Sequence, residues 1–331
     1  MRIASKNTLR FLGVLSIPMC IATVMRTVAC FTDLNYATGY FITGILSTVS
    51  AYIAAAVSLL TVSYLFISKS TVPLTRPSGA LSFIPAGMAS AAQIFLSAEL
   101  FSSFISEADK TGVTLGVACI LALAILSVFS ALAFFFAILY EKRENTTKAA
   151  YLIASVVFFA AYAAYLYFDY STPLNSPAKI SDQMAYLAAA VFFLYEVRIS
   201  LGRSIWRAHA AFGIISAAIC FYASLPALIL FFVKGILITK SLASSVLLFT
   251  LGICSLTKVI LYSLSAREEE SPTAATVRAL ADSRAEEISA GIIHERSRGV
   301  AEDESIGENY EIKIPTESES SSVQNKEESA E

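Results

Sequence analysis

The chain has 331 residues, of which 56 % are hydrophobic and 15 % charged, and its mean hydropathy is +0.65. Soluble domains contain about 45 to 50 % apolar and about 25 % charged residues, so this composition excludes an ordinary soluble domain. Residues 1–265 contain 17 Lys and Arg against 9 Asp and Glu, a net charge of +8, whereas residues 266–331 contain 7 against 17, a net charge of −10. The chain therefore divides into a basic, apolar body and an acidic, polar tail.

Eight runs in the body are long and apolar enough to cross a bilayer, whose hydrocarbon core of roughly 30 Å needs about 20 helical residues. In chain order they lie near 9–29, 42–67, 80–105, 113–140, 149–168, 184–201, 210–233 and 242–264. Polar and turn-forming residues separate them, most clearly at 69–77, 106–110, 141–148 and 171–182. The sequence thus predicts an all-α fold, a polytopic helical membrane bundle over residues 1–265.

The first run has an alternative interpretation. Three basic residues, Arg2, Lys6 and Arg10, precede a short apolar core and the small residues near Cys30, a pattern that is also typical of a signal peptide. Cleavage after about residue 29 would leave seven helices and an outside amino terminus. Both arrangements predict the same seven later helices.

The distribution of Lys and Arg predicts the orientation, because cytoplasmic loops retain positive charge during insertion. With the amino terminus inside, eleven basic residues of the body fall on the inner side and five on the outer side. The five outer ones are Arg26, Lys110, Lys179, Lys234 and Lys240. We therefore expect a cell membrane protein with cytoplasmic amino and carboxyl termini, and we favour the bacterial cytoplasmic membrane.

Charged residues at membrane depth are rare and costly, so each one is a candidate functional residue. Glu99 lies about six residues from the outer end of the third span, and Ser102 and Ser103 extend its polar stripe outward. Arg26, in the outer part of the first span, is a possible ion-pair partner for Glu99. These four residues form the candidate intramembrane polar site, either for a substrate or a proton or as a structural link between helices.

A second candidate lies at the inner surface. A helix continuing from Glu196 aligns Arg203 and Arg207 on one face, beside Trp206. The pattern predicts either a site for a lipid headgroup or another anion, or a positively charged topology anchor. Lys258, in the inner half of the last span, is interpreted as an anchor, with Glu196 as a possible partner.

The acidic segment 266–331 forms the second predicted domain, a cytoplasmic tail whose composition favours disorder. One short amphipathic helix is plausible over 272–290, because Pro272 and Gly291 provide start and stop signals. The tail either binds a cytoplasmic protein or the basic loops, or serves only as a solvated acidic extension.

Common enzyme motifs are absent from the sequence, including the phosphate-binding, zinc-protease, serine-hydrolase and dinucleotide fingerprints. His209 and His294 are the only histidines and have no ligand spacing, and we assigned no aspartate to a span interior. We therefore expect no catalytic residues, no metal site, no cofactor and no nucleic-acid partner, with membrane lipids as the surrounding partners. The function that we favour is transport or channel-like; the alternative is a non-catalytic sensor or scaffold acting through the tail.

Overall fold

The computed structural model describes residues 2–36, 40–67, 83–139, 146–169, 173, 175–201, 206–239 and 241–269. Eight long helices dominate this part of the chain: α1 (Arg2–Thr32), α2 (Ile45–Ile67), α3 (Phe83–Thr111), α4 (Leu115–Leu139), α5 (Thr146–Phe168), α6 (Pro177–Ser200), α7 (Trp206–Lys234) and α8 (Leu242–Glu269). Between α1 and α2, the two-residue strands β1 (Leu34–Asn35) and β2 (Tyr40–Phe41) form an antiparallel hairpin. The predicted all-α bundle is confirmed.

Each helix from α3 to α7 packs against the helix that follows it in the chain, as the short connections between them require. Helix α3 also contacts α8, and α1 and α2 both contact α7. The larger buried cluster is built from α3 to α8, while a smaller one joins Leu15 and Met19 of α1 to Val57 of α2 and Tyr222 of α7. Helix α1 is therefore a packed member of the described bundle.

The outer surface of the helices is apolar. Large hydrophobic side chains are strongly exposed on α1, α3, α4 and α7, with Leu115 at 83 % and Phe232 at 77 %. Small polar residues, by contrast, are buried between helices, where Ser90 and Ser97 of α3 donate hydrogen bonds to α4 carbonyls. A soluble protein does not tolerate such a surface, but hydrocarbon does.

Helix α6 differs from the other seven. Those seven are apolar enough to cross a membrane, whereas α6 carries Lys179, Asp182, Glu196 and Arg198 and falls short of that hydropathy. Its 24 residues extend over about 36 Å, and 14 of them are buried against its neighbours. Short connections join α6 to α5 and α7, and its neighbours shield Lys179, Asp182 and Glu196, whereas Met184 and Leu194 are exposed.

The start of α6 corrects one expectation. The predicted span begins at residue 184, with Asp182 in the preceding loop, whereas the helix begins at Pro177, with Ser176 as its N-cap. Proline suits the first helical turn, where no intrahelical donor is needed. Asp182 therefore lies in the second turn of α6 rather than in the loop before it.

The acidic tail from residue 270 lies outside the described residues. The predicted helix over 272–290 lies outside the described residues, as does Arg203.

Candidate functional site

Arg26 is a buried cation between three helices. Its side chain on α1 is 5 % exposed, and Nη2 donates hydrogen bonds to Ser181 Oγ at 2.6 Å and to the Pro177 carbonyl at 3.3 Å. The guanidinium carbon lies 4.4 Å from the centre of the Tyr222 ring on α7, a favourable cation–π distance. Arg26 thus binds α1 to α6 and α7.

Asp182 provides the opposite charge one residue beyond Ser181. It is 3 % exposed, and its charge interacts electrostatically with Arg26. The ion pairs found among the described residues, defined by a nitrogen-to-oxygen distance of at most 4.0 Å, do not include Arg26 with Asp182. The two charges therefore face each other without direct contact.

A small cavity lies between these two side chains. Its volume is about 10 Å³, and Arg26, Asp182, Ser181 and Thr239 contribute its polar lining. Arg26 Nε and Asp182 Oδ1 are both buried and have no hydrogen-bond partner within the described part of the chain. Nε is a hydrogen-bond donor and Oδ1 is an acceptor. A group that accepts a hydrogen bond from Nε and donates one to Oδ1 would satisfy both atoms.

Two connections at one end of the bundle cover this cavity. Phe41 of the β1–β2 hairpin and Ile238 of the α7–α8 connection both line it. Each connection adjoins a glycine in the left-handed region, Gly44 with φ +66° and Gly235 with φ +69°, a conformation that other residues rarely adopt. The Arg26–Asp182 site therefore lies directly beneath loops of one membrane face.

Asp33 holds the hairpin in place. Its carboxylate accepts hydrogen bonds from Thr43 N at 2.9 Å, Thr43 Oγ1 at 2.7 Å and Gly44 N at 2.8 Å. The hydrogen bonds from Thr43 keep the pKa of Asp33 below its usual value, because they stabilise the ionised form. The hairpin that carries Phe41 is thus fixed to the end of α1.

The other residues of the predicted intramembrane site lie on α3. Glu99 is partly exposed and acts electrostatically on Tyr162 of α5, while Ser102 and Ser103 are exposed. The hydrogen bonds and ring contact of Arg26 go to α6 and α7, so a Glu99–Arg26 ion pair is not among the contacts of the described residues. The sequence identified Arg26 as important but paired it with the wrong helix.

A second charged cluster joins α6, α7 and α8. Glu196 Oε2 accepts a hydrogen bond from Lys258 Nζ at 2.8 Å, as the sequence suggested, and Glu196 Oε1 lies 2.6 Å from His209 Nε2. The side chains are 2 %, 15 % and 0 % exposed, and Phe192 and Tyr262 pack against the imidazole. Both carboxylate oxygens are engaged, as a stable structural link requires.

The cytoplasmic-face candidates are only partly within the described chain. Arg207 follows Trp206 at the start of α7, and Arg203 lies in the undescribed connection between α6 and α7. The choice between an anion site and a topology anchor therefore stays a prediction.

A second cavity, larger than the one at Arg26, offers no polar chemistry. It measures about 400 Å³ and lies between α1 and α7, with Leu256 of α8 at its side. Thr23 and Thr27 line it, but their hydroxyls donate to carbonyls of their own helix, at 2.9 and 2.8 Å. Its wall is therefore hydrocarbon, which matches lipid rather than a polar solute.

Asp182 and His209 are the two residues that sequence reasoning missed. The Ser176–Pro177 helix-start signal was present in the sequence and would have placed Asp182 inside α6. The sequence places His209 at a membrane edge. No local sequence pattern indicates that its imidazole contacts Glu196, 13 residues earlier in the chain. Such contacts depend on how helices pack.

Comparison of the chain with protein-family models, curated proteins and solved structures finds no match. The apolar surface, the seven spanning helices and the shielded α6 nevertheless define the class. The chain is a multi-pass α-helical membrane protein with a polar site buried near one end of the bundle.

Proposed function

We propose that this protein transports a small polar solute and that the Arg26–Asp182 site is the point where the solute binds. The observation that carries the proposal is that Arg26 and Asp182 are both buried, line the same small cavity and each keep a side-chain atom without a hydrogen-bond partner. Charges at membrane depth are expensive, so groups that only link helices are expected to satisfy each other. Glu196 and Lys258 do so, whereas Arg26 and Asp182 do not.

The position of the site supports an alternating-access interpretation. The hairpin carrying Phe41 and the α7–α8 connection carrying Ile238 form the cover on one side, and the buried aromatic core containing Tyr186 lies further along α6. The site is thus separated from the nearer surface by the two connections alone and from the opposite surface by the packed core. This arrangement resembles the closed state of a transporter that opens toward the nearer surface. Lys and Arg counts assign that surface to the outside, with both termini in the cytoplasm of a bacterial cell.

Uptake into proteoliposomes tests the proposal. Purified protein is reconstituted with a fixed orientation and assayed with a panel of radiolabelled small polar solutes. We expect uptake of at least one solute, reduced about tenfold or more by Asp182→Asn, because the carboxylate would lose its charge but keep its size. Glu107→Gln serves as the matched control, since it neutralises an exposed carboxylate on α3. The proposal would be contradicted if both variants lost uptake equally, or if vesicles with the wild-type protein took up no more solute than empty vesicles.

A non-catalytic sensor or scaffold is the second candidate. The specific observation in its favour is that the cavity at Arg26 is no larger than about 10 Å³ and that both oxygens of Glu196 in the other charged cluster are engaged. In this function the acidic tail binds a cytoplasmic protein and the membrane body positions it. Removal of residues 270–331 distinguishes the two: a transporter keeps its uptake, whereas a scaffold loses its partner. In both functions we propose that the protein is not an enzyme.

A further inference from the structure

The Arg26–Asp182 site has features that specify the chemistry of its ligand. Arg26 is permanently cationic, and its Nη2 is already engaged by Ser181 and the Pro177 carbonyl, so Nε is one of the donors left for a ligand. Asp182 Oδ1 is the acceptor left on the other side of the cavity. A ligand that completes both must present an acceptor to Arg26 and a donor to Asp182.

Charge balance narrows the class further. The site holds a guanidinium and a carboxyl group that is negative when ionised, and both are at least 95 % buried, in surroundings where electrostatic interactions are strong. A lone anion would be attracted by Arg26 and repelled by ionised Asp182. A lone cation would be repelled by Arg26 and attracted by ionised Asp182. A molecule with both charges satisfies both residues and adds no net charge to the bundle.

We propose that the site binds a small zwitterion, whose carboxylate faces Arg26 Nε and whose ammonium group faces Asp182 Oδ1. This inference rests on the proposed transport function and names its substrate class. The closed cavity of about 10 Å³ is close to the volume that admits one water, so a water fills the position when the zwitterion is absent. Entry of the zwitterion requires Phe41 and Ile238 of the cover to move away.

Direct binding tests the proposal without requiring transport. The full chain is purified into lipid nanodiscs, and equilibrium dialysis measures the binding of radiolabelled glycine, acetate and methylammonium. We expect glycine to bind at one site and the two half-molecules to bind roughly tenfold or more weakly, since each engages one charge and opposes the other. Absence of glycine binding, or equal binding of acetate or methylammonium, would overturn the proposal and leave a site for water or a single ion.

Variants locate the binding. Asp182→Asn is expected to weaken glycine binding by roughly 10- to 100-fold, the range for a lost charge-assisted hydrogen bond. Glu107→Gln, which neutralises an exposed carboxylate on α3, is expected to leave the affinity unchanged. If Asp182→Asn does not fold, the selectivity of the wild-type protein among the three probes still decides the question. Binding without uptake retains the zwitterion site and rejects transport, whereas uptake of another solute without glycine binding retains transport and rejects the zwitterion.

Discussion

Glu196 of α6 and Lys258 of α8 are joined by a hydrogen bond of 2.8 Å between Oε2 and Nζ, and Oε1 of the same carboxylate contacts His209 of α7. One carboxylate thus connects three helices. Because Glu196 is 2 % exposed, loss of a partner leaves a buried charge that water cannot solvate.

Replacing Lys258 with methionine should destabilise the bundle by about 2 kcal/mol, because Glu196 keeps only His209. Unfolding in mixed micelles, followed by helical circular dichroism, measures the change. Lys110→Met provides the matched control, since Lys110 forms an exposed ion pair with Glu107 at 3.3 Å. Removal of such a pair costs less than about 1 kcal/mol. A Lys258→Met protein as stable as the Lys110→Met protein would contradict the structural role of the cluster.

The same cluster predicts that α6 depends on its neighbours to cross the membrane. A chain that ends after α7 lacks Lys258, so a larger fraction of α6 should fail to insert, because α6 alone has too little hydropathy. Protease protection of a tag placed between α6 and α7 measures the inserted fraction. Glu196→Leu in the truncated chain should restore insertion. The prediction fails if truncation leaves α6 fully inserted without that substitution.

The hairpin over the Arg26–Asp182 site should loosen in acid. The folded pKa of Asp33 lies below its usual value of 3.8, so its hydrogen bonds contribute stability fully above that value. They are lost as the pH falls through the lowered folded pKa, when the carboxylate becomes protonated. Hydrogen exchange of the Thr43 and Gly44 amides should accelerate in that range. Asp33→Asn should abolish the pH dependence, and an unchanged titration in this variant would assign it to another group.

Fusions to alkaline phosphatase, which is active only outside the cytoplasm, test the orientation. A fusion at Gly112 should be active and a fusion at Arg143 inactive, because the Lys and Arg distribution places the first outside and the second inside. In a eukaryotic host, the sequon at Asn145 should stay unglycosylated for the same reason. The reverse pattern would invert the topology and place the Arg26–Asp182 cover at the inner face.

The helices were predictable because the signal for a spanning helix is local. A run such as 113–140 must satisfy its own backbone in hydrocarbon, so its composition is sufficient to identify it as α4. Helix α6 begins seven residues before its predicted start at residue 184, because its polar residues become tolerable only when other helices shield them. The predicted span therefore excludes Asp182.

Amino-acid order alone thus determined that the chain is a helical bundle in a membrane and that Arg26 and Glu196 are unusual within it. Only the tertiary structure decided that Arg26 faces Asp182 across a small cavity, and that His209 and Lys258 share one carboxylate. The reason is physical: hydropathy acts within a single helix, whereas the partner of a buried charge depends on which helices pack together and how each is rotated.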